Sequence, residues 1–350
     1  MAYLHQSEKM TDYVYVVVSS GKDTYLEQTV LSIESLKRAT GTRGVYVLID
    51  PKTQASLTGR RAKLYDVADH VVTVDCPAEY DAQQRSRYLK TTMYSHIDND
   101  FIYIDGDTLV CEDLSSAAGD YDVALVLDRH SPVSSHPRAD RLDRRAKRCG
   151  FATSFADKHF NGGFMYVRKS PVSERFFSLW NQLWRECLTH NVSQDQTSLN
   201  EANARMGGVV HELDGVYNCQ ICDAAGLRFL NQAKMIHYFA SGGSRIPFNL
   251  ADDSIIRHAL DESYPEGLRV VLEEPRAAYR FIKHYISDSS AGKVCLSKTF
   301  RLEFELLGSK SCSAKALYRF MEMLSKAALA VRRWSRLAAK SRNRRRANPE

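Results

Sequence analysis

The sequence predicts an α/β protein in which a mostly parallel β-sheet is covered by helices on both faces. Two observations lead to this prediction. The first third of the chain alternates β-branched, aromatic runs with segments of helical periodicity, and the strand runs are continuously apolar, as in a sheet buried on both faces. The composition agrees with it, because 44% of the 350 residues are apolar, enough to bury a sizeable core.

The chain begins with a predicted strand, loop and helix. Residues 13–19 (YVYVVVS) form a β-branched and aromatic run that is typical of a buried strand. Residues 20–23 (SGKD) break this run. Leu26, Val30, Ile33 and Leu36 then recur at helical spacing, which predicts a helix over residues 25–38.

Further strands and helices follow in alternation. The next predicted elements are a strand at 44–50 closed by Pro51, a helix at 53–65, a strand at 70–74, a helix at 87–97 and a strand at 101–105. Ligands of such sheets collect at the carboxyl ends of the strands. The pattern then becomes mixed, with strands predicted at 123–127, 163–168 and 235–239 and helices at 172–187 and 195–204. The topology of residues 252–310 is not predicted.

Charge is distributed unevenly along the chain. The formal net charge is +6, but residues 310–350 contain twelve Lys or Arg and two Glu, which leaves residues 1–309 with −4. One basic appendage on a mildly acidic body argues against a nucleic-acid surface spread over the fold. The eight scattered cysteines and the short apolar run near the start indicate reduced thiols and a cytoplasmic protein without a signal peptide. Cys219 and Cys222 are interpreted as core or loop cysteines more readily than as zinc ligands.

Asp105 and Asp107 follow directly after an apolar strand, in FIYIDGDTLV at residues 101–110. Two carboxylates at the rim of a sheet can face one cation, and Mg²⁺ and Mn²⁺ prefer oxygen ligands. Gly106 between them permits a close backbone approach. The alternative is a polar strand end at which an aspartate caps the turn.

Five segments resemble, in the same order, motifs of glycosyltransferase family 8, which includes bacterial lipopolysaccharide glycosyltransferases and glycogenin. They are VVVSSGKDTYLEQTVLSIESL, IDGDTLV, HFNGGFMYVRKS (159–170), SQDQTSLN (193–200) and IHYFASGGSRIPF (236–248). The resemblance implies a GT-A fold, a mixed sheet flanked by helices, with a catalytic domain at residues 12–250 and an acceptor-side segment at 251–310.

The resemblance also implies a metal site and a donor site. Asp105, Asp107 and His237 would hold Mn²⁺ or Mg²⁺ and, through it, the diphosphate of a UDP-sugar. The implied donor-binding residues are Ser19, Gly21, Tyr25, Arg87, Lys90, Asp105, Asn161, Gly242 and Arg245. Three alternatives stay open: a buried strand-end histidine at 237, an ordinary helix-start aromatic at 25, and a solvated helix face at 87 and 90.

Asp195 and Gln196 are the catalytic positions that the resemblance implies. The family retains the anomeric configuration, and a double displacement would need a carboxylate nucleophile close to the anomeric carbon. The resemblance instead places Gln196 there, with Asp195 and Asn161 on the sugar. Because an amide is a poor nucleophile, we expect a front-face substitution. The alternative for Asp195 is that it caps the helix that begins there.

Three positions depart from the family pattern. Thr197 stands where the family often has a second acid. Ala240 replaces the glycine, and Arg245 stands near the lysine, of a loop that usually reads His-x-x-Gly-x-x-Lys-Pro. The guanidinium of Arg245 suits phosphate oxygens but could also face solvent.

The basic tail over residues 311–350 predicts an amphipathic helix that associates with membranes. One side of the helical wheel collects Leu317, Phe320, Met321, Leu324, Ala328, Val331, Trp334 and Ala338, and two residues, Leu329 and Leu337, break this pattern. Basic residues on the other side suit an anionic membrane surface. A helix packed on the protein's own core is the alternative, and nucleic acid is disfavoured because no aromatic stacking platform accompanies the charges.

The resemblance therefore implies a metal-dependent retaining hexosyltransferase. It would move glucose or galactose from a UDP-sugar to a glycan or glycolipid acceptor at the inner face of a bacterial membrane. The alternative is a catalytically weak, membrane-docked nucleotide-sugar-binding protein, which would be expected to lack a metal ligand. A sugar-nucleotide pyrophosphorylase would need a loop richer in glycine and arginine than SSGKDTY.

Overall fold

The computed structural model describes residues 11–41, 44–151, 157–221, 224–238, 250 and 253–280, and the helical positions 313, 316, 317, 319, 320, 323 and 324. The chain forms two compact units, Met1–Ser289 and Ser290–Glu350. Within the described part of the chain, no helix combines the length and the apolar character needed to cross a membrane.

Two β-sheets organise the first unit. The described strands are β1 (Asp12–Val17), β2 (Val45–Ile49), β3 (His70–Thr73), β4 (Phe101–Ile104), β5 (Thr108–Val110), β6 (Val123–Leu127), β7 (Phe160–Val167), β8 (Val210–Glu212), β9 (Cys219–Gln220) and β10 (Met235–His237). The large sheet has the order β3-β2-β1-β4-β7-β6-β8, and the small one has the order β5-β10-β9.

The large sheet is mixed, as the GT-A resemblance implied. β1 to β4 are mutually parallel, whereas β7 runs antiparallel to both of its neighbours, β4 and β6. In the small sheet β10 is antiparallel to β5 and parallel to β9. The small sheet therefore brings the segment before residue 238 next to the turn that follows β4.

Helices cover both faces of the large sheet. The described helices of the first unit are α1 (Tyr25–Thr40), α2 (Pro51–Ala55), α3 (Lys63–Val67), α4 (Ala82–Thr92), α5 (Ala139–Arg148), α6 (Pro171–Thr189), α7 (Asp195–Arg205), α8 (Ala224–Leu227), α9 (Asp253–Ile256), α10 (Glu266–Glu273) and α11 (Pro275–Arg280). Alternate residues of β1 face opposite cores, because side chains of a strand alternate between its two faces. Tyr15 packs in one core with Val30 and Ile33 of α1, and Val14 packs in the other with Trp180 of α6.

Two predicted helices have different bounds in the structure. The helix predicted at 53–65 is wrong as a single element, since α2 and α3 are separated by a 3₁₀ turn, Gly59–Ala62, whose first residue has a φ of 56°. The helix predicted at 87–97 starts earlier, because Asp81 caps α4 together with Gln84. It gives way to the 3₁₀ turn Met93–His96.

The C-terminal part of the first unit packs on α1 and on the segment that follows α2. Arg257 donates to the buried Glu27 carboxylate at 2.7 Å, and Lys63 donates to the hydroxyl of Tyr264 at 2.6 Å. In the second unit, the described apolar side chains of Leu317, Phe320, Met323 and Leu324 are exposed.

Candidate active site

A cavity of about 650 Å³ opens where β1 and β4 end. Its walls are formed by the start of α1, one face of α4, the turn at 105–107, the start of β7 at 161–163, the first turn of α7, and His237. Because parallel strands of an α/β sheet expose their carboxyl ends at one edge, this is the expected place for a ligand.

The aspartate couplet lies in the turn between β4 and β5. The amide of Asp105 donates to the carbonyl of Gly163 at 2.9 Å, and the Thr108 hydroxyl donates to the Asp105 carbonyl at 2.8 Å. Gly106 packs against α1, where a Cβ would overlap the hydroxyl of Thr29. The turn therefore requires a glycine between the carboxylates, whose side chains remain 25% and 23% exposed.

His237 reaches the couplet from the end of β10, 130 residues beyond Asp107. Antiparallel pairing of β10 with β5 sets His237 opposite Thr108. Its Nε2 lies 3.1 Å from Oδ1 of Asp107 and 4.0 Å from Oδ2 of Asp105. Burial opposes a positive charge on this ring, but the two carboxylates outweigh it, so the pKa of His237 is raised.

These three side chains fit a divalent cation. Asp105, Asp107 and His237 each offer one ligand atom, and the atoms lie within 4.8 Å of one another. Carboxylate oxygens suit the hard cations Mg²⁺ and Mn²⁺, and an imidazole nitrogen is compatible with Mn²⁺. Two adjacent carboxylates also repel each other, so a bound cation would relieve their repulsion.

Arg87 and Lys90 of α4 point into the cavity. Lys90 Nζ lies 2.9 Å from Oδ1 of Asp105 and 3.8 Å from Oδ2 of Asp195, and 4% of its side chain is exposed. Arg87 Nε lies 3.0 Å from Oδ1 of Asp195, and this carboxylate raises the pKa of Arg87. The Tyr103 hydroxyl also donates to Asp105. Lys90 and Tyr103 together engage one oxygen of Asp105, and its other oxygen faces His237.

Asp195 and Gln196 form the first turn of α7 and line the cavity. The Asp195 carboxylate pairs with Arg87 and Lys90, and the preceding residue takes the N-cap position. Burial opposes ionisation of Asp195, but the two cations outweigh it and lower its pKa. The indole of Trp180 donates to the Asp195 carbonyl at 3.0 Å, which ties α7 to α6.

The loop between β1 and α1 is organised by Asp23. Its carboxylate accepts hydrogen bonds from the Ser19 hydroxyl at 2.7 Å and from the amides of Ser20 at 2.9 Å and Tyr25 at 3.3 Å. Gly21 has a φ of 78°, a conformation that favours glycine. Asp23 and Tyr25 line the cavity, and the Tyr25 side chain is 56% exposed at its edge.

Asn161 lines the cavity from β7, but its amide is largely engaged within the protein. Nδ2 donates to Asp128 at 2.9 Å, and Oδ1 accepts from the Gly163 amide at 2.9 Å and from Asn218 at 3.0 Å. Three of the four hydrogen-bonding positions of this amide are thus occupied.

The structure brings most of the predicted site residues to one cavity. Those that line it are Tyr25, Arg87, Lys90, Asp105, Asp107, Asn161, Asp195, Gln196 and His237. Ser19 and Gly21 lie in the loop that precedes α1 without lining the cavity. The predicted donor-binding residues Gly242 and Arg245 lie outside the described residues, as does Ala240.

Sequence reasoning missed Asp23, Tyr103 and Asn218. Tyr103 had a usable signal, because residues two apart in a strand share a face and Tyr103 is two residues before Asp105. Asp23 had a weaker one, since a polar residue just before a helix often binds backbone amides. Asn218 had no local signal, because its partners lie 57 and 19 residues away.

Comparison with known proteins identifies relatives of this architecture. The profile of a family described as nucleotide-diphospho-sugar transferase matches residues 43–245, more than half of the chain. No curated protein matches the chain in sequence.

Several solved glycosyltransferase structures are similar. The apo form of the bifunctional glycosyltransferase WbbM is 18% identical, with a TM-score of 0.50, over 77% of this chain and 52% of that chain. An active-site mutant of LgtC is 14% identical, with a TM-score of 0.50, over 74% of this chain and 99% of that chain. The galactosyltransferase LgtC, in complex with donor and acceptor sugar analogues, is 16% identical over the same shares of the two chains, with a TM-score of 0.48.

Proposed function

We propose a specific reaction for this chain, which belongs to the nucleotide-diphospho-sugar transferase family and has the GT-A glycosyltransferase fold. A hexose, glucose or galactose, passes from a UDP-sugar to a glycan or lipid-linked acceptor with retention of anomeric configuration. The setting is the synthesis of a bacterial cell-surface polysaccharide or lipopolysaccharide. The observation that carries the proposal is the cluster of Asp105, Asp107 and His237 at the carboxyl edge of the sheet, with Lys90 beside it.

The carboxylate side of the cavity takes the donor diphosphate. Mn²⁺ or Mg²⁺ held by Asp105, Asp107 and His237 would neutralise the negative charge that grows on the diphosphate as it leaves. Lys90 contributes a fixed positive charge there and, with Tyr103, holds the Asp105 carboxylate in one orientation.

The nucleoside lies against the start of α1 in this proposal. The exposed ring of Tyr25 stacks on the uracil, because a nucleobase gains from an aromatic face. Asp23 contributes by holding the preceding loop through its hydrogen bonds to Ser19 and Ser20.

The sugar lies against α7. Arg87 and Lys90 keep Asp195 ionised, so its carboxylate can accept hydrogen bonds from sugar hydroxyls and orient the ring. Gln196 lies beside the anomeric carbon. The acceptor hydroxyl forms a bond to that carbon on the face from which the diphosphate departs, and its proton passes to the departing phosphate oxygen. Retention then needs no covalent sugar–enzyme intermediate.

The tail over residues 311–350 docks the protein on an anionic membrane surface, facing the cytoplasm. The exposed side chains of Leu317, Phe320 and Leu324 support this, since they follow helical spacing. The basic residues between 310 and 346 add electrostatic attraction to anionic lipids.

The reaction is tested by incubating the full-length protein with separate UDP-hexoses and following UDP release by mass spectrometry. We expect Mn²⁺-dependent hydrolysis of one UDP-hexose without acceptor, and its loss with a chelator. Tight UDP-sugar binding with no turnover for any donor or acceptor would favour the alternative of a nucleotide-sugar-binding protein. Turnover that is unaffected by the chelator would contradict the metal role.

A further inference from the structure

A chain of buried polar side chains runs behind the wall of the cavity and ends at His237. We call it the buried hydrogen-bond chain. Its members, in order, are His136, Asp128, Asn161, Asn218 and His237, joined by hydrogen bonds of 3.0, 2.9, 3.0 and 3.0 Å. Asn218 is fully buried, and none of the others is more than 8% exposed.

The donor and acceptor of each of the first two hydrogen bonds are identified by neighbouring groups that can only donate or only accept. The Arg138 amide donates to Nδ1 of His136 at 3.1 Å, so Nε2 of this ring carries the hydrogen that Asp128 accepts. The Gly163 amide donates to Asn161 at 2.9 Å, so the atom that receives it is the side-chain oxygen. The Asn161 nitrogen then faces the Asp128 carboxylate, which only accepts. The amide of Asn161 therefore has one orientation.

This orientation determines the next two members. Because Asn161 presents its oxygen, Asn218 must donate through Nδ2, at 3.0 Å. The Asn218 oxygen then faces Nδ1 of His237 at 3.0 Å, which requires a hydrogen on Nδ1. The other ring nitrogen, Nε2, is the one directed at Asp107, 3.1 Å away.

A second, independent contact holds the same ring. His237 packs directly on Gly163, where a Cβ would lie 2.7 Å from its Nδ1. The missing side chain of Gly163 thus provides the space for the imidazole, and the Gly163 amide anchors Asn161 in the buried hydrogen-bond chain. Gly163 therefore sets the position of the His237 ring and, by fixing Asn161, also sets the orientation of Asn218.

We propose that Asn218 is a positioning residue that keeps His237 protonated at Nδ1, with Nε2 turned toward Asp107. The ligand atoms are then in place before any cation arrives. That His237 binds a cation rests on the proposed function. That its Nδ1 carries a hydrogen is inferred from the hydrogen bonds alone. Outer partners of metal-ligating histidines fix the tautomer in this way, and losing one typically costs about 10–100-fold in metal affinity.

The first test measures Mn²⁺ affinity without nucleotide, from the electron paramagnetic resonance signal of free Mn²⁺. Asn218→Leu, of similar size, removes the acceptor of Nδ1–H, and we expect affinity to fall by about 10–100-fold. The matched control is Asn203→Leu. Asn203 is also a buried asparagine, but its oxygen accepts from the Val210 amide at 2.9 Å, so its loss should leave Mn²⁺ affinity unchanged. Equal affinity in the wild type and Asn218→Leu would overturn the proposal.

The second test does not depend on whether Asn218→Leu folds, because Asn218 is unchanged in it. Nitrogen NMR of the ¹⁵N-histidine-labelled full-length protein, with His237 assigned by comparison with His237→Gln, reports which ring nitrogen carries hydrogen. We expect Nδ1 to carry it both in the metal-free protein and with Mg²⁺ added, and a bare Nδ1 in either state overturns the proposal. If the wild type binds neither ion, the metal role in the proposed function fails, and the state of Nδ1 still decides the role of Asn218.

Discussion

The cavity of the first unit and the helix of the second unit differ in which side chains they shield from solvent and which they expose. In the cavity, charged groups are withdrawn and paired: 4% of the Lys90 side chain and 9% of the Asp195 side chain are exposed. In the helix, apolar groups are exposed, with Leu317 at 43% and Phe320 at 53%. The first arrangement suits a small, highly charged ligand, because fixed charges act strongly where water is excluded. The second suits a broad apolar partner. Donor chemistry and docking should therefore be separable by mutation.

The largest expected effect is on chemistry. Asp107→Ala removes a proposed cation ligand, and we expect transferase turnover to fall by at least about 10³-fold, because stabilisation of the leaving diphosphate is lost. Steady-state kinetics with the preferred UDP-hexose measure this effect. The melting temperature and binding to anionic vesicles should stay close to wild type. Near-normal turnover would remove the metal role from this carboxylate.

A smaller effect is expected at the sugar side of the same cavity. Asp195→Asn keeps the size of the side chain but removes the charge that pairs with Arg87 and Lys90. We expect kcat to fall by about 10²-fold, the scale for a lost group that stabilises the transition state. Mn²⁺ affinity should not change, since Asp195 lies outside the cluster of candidate ligands. A kcat within a few-fold of wild type would exclude Asp195 from the reaction.

The converse experiment acts on the tail alone. Leu317, Phe320 and Leu324 are changed together to serine in the full-length protein, leaving every Lys and Arg in place. We expect affinity for vesicles with anionic lipids to fall by at least about 10-fold, because burying each such side chain contributes about 1.5–3 kcal/mol. Vesicle sedimentation measures the affinity, and turnover on a soluble acceptor should be unaffected. Unchanged sedimentation would mean that these side chains do not insert into the membrane.

The smallest expected effect concerns stability and pH. Burial opposes ionisation of Asp128, but hydrogen bonds from His136 and Asn161 outweigh it and lower its pKa to about 2. Since the folded pKa lies below the unfolded value of about 3.9, the carboxylate stabilises the fold above pH 4, by roughly 2 kcal/mol. This contribution is lost as the pH falls through 2.

Asp128→Asn should therefore unfold at lower urea than wild type at pH 7, and the gap should narrow between pH 4 and pH 2. Urea titrations at several pH values measure the gap. A gap that is constant with pH would show that packing, rather than the charge, accounts for the loss. Hydrogen bonds among the described residues connect Asp128 to His237 through Asn161 and Asn218.

Several features of the fold were predictable because their signals are local. The apolar run before Asp105 predicted β4, and helical spacing through Leu26, Val30 and Ile33 predicted α1. Both signals work because burial imposes a period of two residues on strands and 3.6 on helices. The single helix predicted at 53–65 was wrong, because α2 ends at Ala55 and the chain is extended at Thr58 before the 3₁₀ turn Gly59–Ala62.

The candidate site was predictable where a motif carried it. The couplet Asp105 and Asp107, His237, and the pair Asp195 and Gln196 were all selected from the sequence, and the structure brings them to one cavity. Their partners were not predictable in the same way. The ion pair of Arg87 with Asp195 joins α4 to α7, and from the sequence alone a solvated helix face was an equal alternative for Arg87.

By itself, the sequence determined the alternation of strands and helices in the first third of the chain, the acidic turn after β4 and the basic, amphipathic pattern of the tail. These depend on spacing between near neighbours, which any conformation of the chain preserves. Only the tertiary structure decided which oxygen of Asp105 faces His237, which cations neutralise Asp195 and which nitrogen of His237 carries a hydrogen. The first two depend on segments more than a hundred residues apart, and the third depends on Asn218, 19 residues from His237. Their distances and hydrogen-bond directions are set when β5 pairs with β10 and when α4 and α7 both pack against α6.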